Sequence, residues 1–97
     1  MQDVICQAIR EKRLLTVLYK NLERVVEPYL PFATKAGDLV LHSWQVEGEY
    51  EKTPPPDWCD MRLSDISSIT LLNRTFEQPH PKYNRESPRF HRVICRI

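Results

Sequence analysis

From Leu15 onward the apolar residues recur at every second position, a spacing that only an extended strand can use. Leu15, Val17 and Tyr19 alternate with Thr16, Leu18 and Lys20. Neighbouring strand side chains point to opposite faces of a sheet, so the alternation separates one face from the other. Lys20-Asn21-Leu22 reads as a turn, because Asn tolerates left-handed backbone. Glu23 to Val26 then continues as a second strand. Pro28 and Pro31 carry no backbone donor, which predicts an edge or a bend over Glu27 to Ala33. Lys35-Ala36-Gly37-Asp38 is a tight turn with glycine where φ can be positive. Leu39 to Val46 is a third strand, with Leu39, Leu41 and Ser43 on one face and Val40, His42 and Trp44 on the other. Trp58 to Leu63 and Ile66 to Leu72 are the fourth and fifth, joined by a short turn at Ser64-Asp65. Regular strands with short turns predict a mostly β protein, a small antiparallel barrel or sandwich.

The flanks have a different texture. Val4, Ile5, Ala8 and Ile9 form one helical stripe, Asp3 can cap it, and Arg10, Lys12 and Arg13 suit its C-terminal end. This predicts a helix over 3–13. A single helix is not a helix-turn-helix. Residues 47–57 make an acidic loop in which three consecutive prolines forbid a helix. From Arg74 to Ile97 there are six basic and two acidic residues, against eight and eleven in the remainder. Pro79, Pro81 and Pro88 keep most of this tail irregular. Ser87-Pro88 can open a helix, and Phe90, Val93, Ile94 and Ile97 fall at helical spacing. A short C-terminal helix is predicted, its apolar stripe needing a surface on its own sheet or on a neighbour. The sequence thus divides into a β domain over 1–76 and a Pro-rich basic extension over 77–97.

Composition narrows the function classes. A chain of 97 residues holds one modest core. A net charge of +1 argues against nucleic-acid binding by bulk electrostatics. Two glycines are too few for a glycine-rich phosphate loop. Met1 to Arg13 lacks the pattern of a signal peptide, and no apolar run nears the roughly 20 residues of a membrane span. Cys6, Cys59 and Cys95 are odd in number and share no redox or metal-ligand spacing, which predicts three reduced thiols in the cytoplasm. No local signature joins Cys59 to His42, His80 or His91, so Cys59 reads as a strand thiol. His91 and Cys95 could share a helix face, but a zinc site needs further ligands. Glu47, Glu49, Glu51 and Asp57 read as a solvated loop. The chain is expected to be non-enzymatic, without metal or cofactor.

Binding is the remaining class. Arg24, Arg62 and Arg74 lie in or beside strands, near Tyr19, Tyr29, Trp44, Trp58 and Phe76. Arginines beside exposed rings suit anionic ligands and unstacked bases. The alternative is that the rings are core and the arginines pair with Glu23, Glu27 and Asp60.

The order of motifs adds a family. A helix ending in basic residues is followed by a strand closing on Tyr19, then Arg24-Val25-Val26-Glu27-Pro28-Tyr29. Leu39-Val40-Leu41-His42-Ser43-Trp44 and Met61-Arg62-Leu63-Ser64-Asp65-Ile66 come next, then Ile69 and Phe76. Over about residues 3 to 76 this resembles the WYL domain of bacterial transcriptional regulators. The resemblance implies an Sm-like small antiparallel β-barrel with a leading helix. It also implies a ligand-sensing module for a nucleotide or a short single strand of nucleic acid, linked to transcription. It places Tyr19, Arg24, Glu27, His42 and Arg62 at motif positions that line or support a pocket. Together with the ring chemistry this makes Arg24 and Arg62 the anion donors, Tyr19 and Trp44 the walls, His42 a polar contact and Glu27 the group that orients Arg24. Lacking a DNA-binding domain, such a module would need a partner regulator chain or act alone. The second expectation is an interaction module that pairs with another protein or forms a homo-oligomer. The sequence departs from the family pattern at Leu39-Val40-Leu41, where Trp-Tyr-Leu is usual, and at Cys59, Ser64 and Asp65, where two basic positions become neutral or acidic.

Overall fold

A computed structural model describes residues 1 to 95. It holds one helix, α1 (Gln2–Glu11), and six strands: β1 (Arg13–Tyr19), β2 (Leu22–Ala33), β3 (Leu39–Gly48), β4 (Asp57–Arg62), β5 (Ile66–Thr75) and β6 (Arg92–Val93). A single 3-10 turn, Leu63–Asp65, joins β4 to β5. All pairings are antiparallel, in the order β4-β3-β2-β1-β5, with β6 attached to β2. The sheet is not closed into a barrel. Among the described residues β4 pairs with β3 and β5 pairs with β1, but β4 and β5 do not pair with each other.

The helix starts one residue earlier than expected and ends two residues sooner. Met1 is its N-cap, no side chain caps it, and Asp3 sits in the first turn instead. It stops at Glu11 because Lys12 turns left-handed, and the cap N–H bonds back to the carbonyls of Ala8 and Ile9. The two-residue turn after β1 has positive φ at both Lys20 and Asn21, the twist that matches a tight hairpin.

The expected edge or bend at Glu27 to Ala33 is instead the second half of a twelve-residue strand. The β1 ladder ends at Val26, so beyond it one flank of β2 is open until β6 joins at Phe32 and Ala33. Prolines are tolerated on such a flank, and the Pro31 carbonyl accepts the Ile94 N–H. On the other flank the β2–β3 register shifts between Pro28 and Leu30, which sets Leu30 beside His42. Bulges of this kind bend a strand and aim its side chains anew.

Two differently built cores result. On one face Ile5, Ala8 and Ile9 of α1 pack with Leu15, Val17, Val26, Leu41 and Met61. On the other face Tyr29, Phe76, Trp44, Trp58 and Tyr83 form one cluster, and Leu30, Phe32 and Phe90 a second. The faces of β3 follow the expected alternation.

Among the described residues no C-terminal helix forms. Ser87 to Phe90 forms turns, and Arg92–Val93 is a strand. Val and Ile favour strands, and β2 offers them an open flank. Phe90 and Val93 are taken up by the chain's own sheet; Ile97 of the expected stripe lies outside the described residues. The expectation of three reduced thiols is also overturned: Cys6 of α1 is joined to Cys95 by a disulfide, and only Cys59 is free. The two cysteines are 89 residues apart in sequence, so no spacing rule could pair them. A Cys95 in a disulfide is not available as a zinc ligand beside His91.

Candidate functional site

The β3–β4 ladder builds the site. Its register sets three pairs in a row: Val40 with Arg62, His42 with Asp60, and Trp44 with Trp58. Cross-strand neighbours on one face lie about 5 Å apart, so these side chains must meet. His42 Nδ1 lies 2.6 Å from Asp60 Oδ1, and the His42 and Trp58 rings stack at 4.9 Å. The tail supplies the opposite wall. Arg89 Nη1 pairs with Asp60 Oδ2 at 2.8 Å, and Arg89 Nη2 lies 3.0 Å from His42 Nδ1. A guanidinium can only donate. A protonated Nδ1 therefore gives its hydrogen to Asp60, and an unprotonated one receives Arg89.

Asp60 is held low by this arrangement. Burial pushes its carboxyl up, but the hydrogen bonds from His42 and Arg89, with their charges, lower it further than burial raises it.

Two cavities open here. One, of about 520 Å³, is lined by His42, Trp58, Asp60, Lys82, Arg89 and Phe90, among others. The second, of about 440 Å³, takes in Tyr19, Lys20, Phe32, Arg62, Asp65 and again Asp60 and Arg89. The Asp60–Arg89 pair lines both, so the two adjoin across it as one interrupted groove. Rings wall one end, and Lys82, Arg89, Arg62 and Lys20 are spaced along it.

The residues singled out in the sequence are thus divided. Tyr19, His42 and Arg62 line the groove. Arg62 is exposed, with Asp38 at 3.2 Å as its partner. Arg24 does not join Arg62. On β4 Cys59 and Arg62 are an odd number of residues apart and so face opposite ways, and Arg24 Nη1 lies 3.7 Å from Cys59 Sγ. Arg24 is buried over the Tyr19 ring, reaches Glu51 at 3.5 Å, and lines a separate cavity of about 260 Å³. Its Nε is buried without a hydrogen-bond partner. Trp44 does not wall the groove: the His80 ring covers it at 4.1 Å, and Trp58 takes that part. Glu27 does not orient Arg24 but accepts a 2.6 Å hydrogen bond from the Tyr29 hydroxyl. That hydroxyl in turn accepts the His80 N–H at 2.7 Å. Arg74 pairs with Glu47 at the surface.

Sequence reasoning missed Asp60 and Arg89 at the centre of the site. The period of β4 sets Asp60 on the face of His42, and that signal was readable. Nothing local points Arg89 at Asp60, because the tail between them has no period.

Burial raises the Cys59 thiol, and the nearby Arg24 only partly offsets this, so Cys59 stays protonated and is a poor nucleophile. Among the described residues no three His, Cys, Asp or Glu side chains come together as a metal site. No helix among them is long and apolar enough to cross a membrane. The chain matches no protein-family model, no curated protein sequence and no solved structure.

Proposed function

We propose that this chain is a non-enzymatic ligand-sensing module whose groove takes a planar anionic molecule of the nucleotide class. The observation that carries this reading is the sharing of Asp60 and Arg89 by the two cavities. It sets a ring wall of His42, Trp58 and Phe90 beside a run of cations. A base or similar ring fits against the wall, and its phosphate against Arg89 and Arg62. The motif resemblance to the WYL domain supports the same class of ligand and a cytoplasmic role in transcription beside a partner regulator chain. The leading helix and bent antiparallel sheet are in keeping with that family's Sm-like barrel, although here the edge strands stay apart.

Both tryptophans lie at or next to the groove, so their fluorescence reports occupancy. Titration with a panel of nucleotides and short single strands, at low and high salt, tests the reading. Binding by a nucleotide that falls roughly tenfold or more in Arg62→Ala supports it, since a charge-assisted hydrogen bond contributes about 1.5–3 kcal/mol. No binding by any member of the panel, or binding untouched by Arg62→Ala, counts against it. Tight binding of single strands alone would shift the ligand from nucleotide to nucleic acid.

A further inference from the structure

We propose that the Cys6–Cys95 disulfide is a reversible latch that holds the C-terminal wall of the groove shut. The wall is the segment from Glu77 to Cys95, which contributes Lys82, Arg89 and Phe90 to the cavity. Among the described residues its far end is otherwise held by the packing of Phe90 and Val93 in the ring cluster and by a few backbone bonds. The β6 strand has two residues, paired with Phe32 and Ala33, and Ile94 adds one backbone hydrogen bond to Pro31. A ladder this short does not sustain itself. The Arg89 side chain of the Arg89–Asp60 pair is half exposed, and half-exposed pairs hold weakly.

The position of the bond makes it a fastener of this wall. Val93 packs in the ring cluster on one face of the sheet, and Cys95 packs against the aliphatic cluster on the other. The chain therefore crosses the free flank of β2 between these residues, and the disulfide pins it after the crossing. Its other end is secure without the bond, because Ile5, Ala8 and Ile9 are fully buried. Breaking the bond thus frees the tail and leaves α1 in place. Cys6 and Cys95 are each only partly buried, and the latch requires that a reductant thiolate reach one of their sulfurs.

The chemistry is thiol–disulfide exchange with a dithiol reductant. One reductant thiolate attacks a sulfur of the bond and forms a mixed disulfide, releasing the other cysteine as a thiol. The second reductant thiol then displaces the remaining cysteine. Cys6 and Cys95 gain two electrons and two protons, and the dithiol leaves as its disulfide. A disulfide oxidant reverses both steps. The consequence for ligand rests on the groove proposed above; the release of the wall does not.

Hydrogen–deuterium exchange on the full chain tests this, comparing the oxidised protein, the protein in dithiothreitol, and Cys6→Ser, with Cys59→Ser as the thiol control. The expected result is at least tenfold faster exchange at Tyr83, Phe90 and Ile94 after reduction and in Cys6→Ser. Amides of β1 and β3, and the whole of oxidised Cys59→Ser, should keep their protection. Equal tail protection with and without the bond overturns the latch. So does loss of protection throughout the sheet, because the bond then holds the fold and not the wall. Nucleotide titration of the same samples separates the two readings. A wall that loosens while no nucleotide binds in either state supports the latch and removes the ligand.

Discussion

One face of the sheet is sealed by a helix and by aliphatic side chains; the other is covered by rings and by a tail with almost no regular structure. Ile5, Ile9, Leu15, Val17, Leu41 and Met61 are at most 1% exposed. They carry no polar atoms to satisfy, so dense packing is what they require, and the buried Arg24 guanidinium beside Tyr19 and Cys59 is the polar exception on this face. The second face keeps polar groups within its ring layer: the Tyr29 hydroxyl, the His42 ring and the Asp60 carboxylate. Each has a partner from the chain opposite it, and together they leave a groove. The contrast teaches that close aliphatic packing and a polar, ring-walled groove can occupy opposite sides of the same strands.

The largest expected effect lies on the aliphatic side. Leu41→Ala should lower the unfolding free energy by about 2–5 kcal/mol, read from urea denaturation, because it leaves a cavity among atoms that cannot close in. A loss near zero would break the comparison by showing that this face is not the stabilising one.

A smaller effect is expected on the ring side from Tyr29→Phe. The hydroxyl is kept protonated by burial and by its hydrogen bond to Glu27. Removing it leaves the Glu27 carboxylate and the His80 N–H without that partner, at a cost of about 1–3 kcal/mol. Proteolysis within 77–83 should quicken, while the helix resists as before. An unchanged cleavage rate would mean that the tail is held elsewhere.

The smallest effect is present near neutrality and disappears in acid. The folded Asp60 carboxyl sits below its ordinary value, so its stabilisation is complete above the ordinary value of about 3.8 and is lost as pH falls through the lowered one. The melting temperature of the native chain should exceed that of Asp60→Asn near neutrality, and the gap should close on descent to strong acid. A gap that widens in acid would reverse the assignment of the His42–Asp60–Arg89 contacts.

The same division explains what the sequence could reveal. β1, β3, β4, β5 and the helix were legible because each repeats with its own period, and the turns at Asn21 and Gly37 because those residues tolerate positive φ; the second half of β2 and β6 were not. So was the separation of Leu41 from His42 on β3. The open sheet was not, because closure depends on whether β4 meets β5, and neither strand encodes the other's distance. The tail was misread as a helix because Phe90, Val93 and Ile94 satisfy the spacing, while the free flank of β2 that captures them exists only after folding. Tyr19, His42 and Arg62 were legible as groove residues. Arg24 stands opposite Val17 and on the face of Val26, which the period of β2 carried, but nothing in that period told which face would hold the groove. Asp60 and Arg89 meet only across 29 residues of chain, most of it without periodicity.

Joining residue 6 to residue 95 turns nearly the whole polypeptide into a closed ring. A ring cut once is still one molecule. A single nick in an exposed connection such as 49–56 would leave both pieces covalently tethered. The severed strands would then meet again within one covalently tethered molecule, not as two separate peptides.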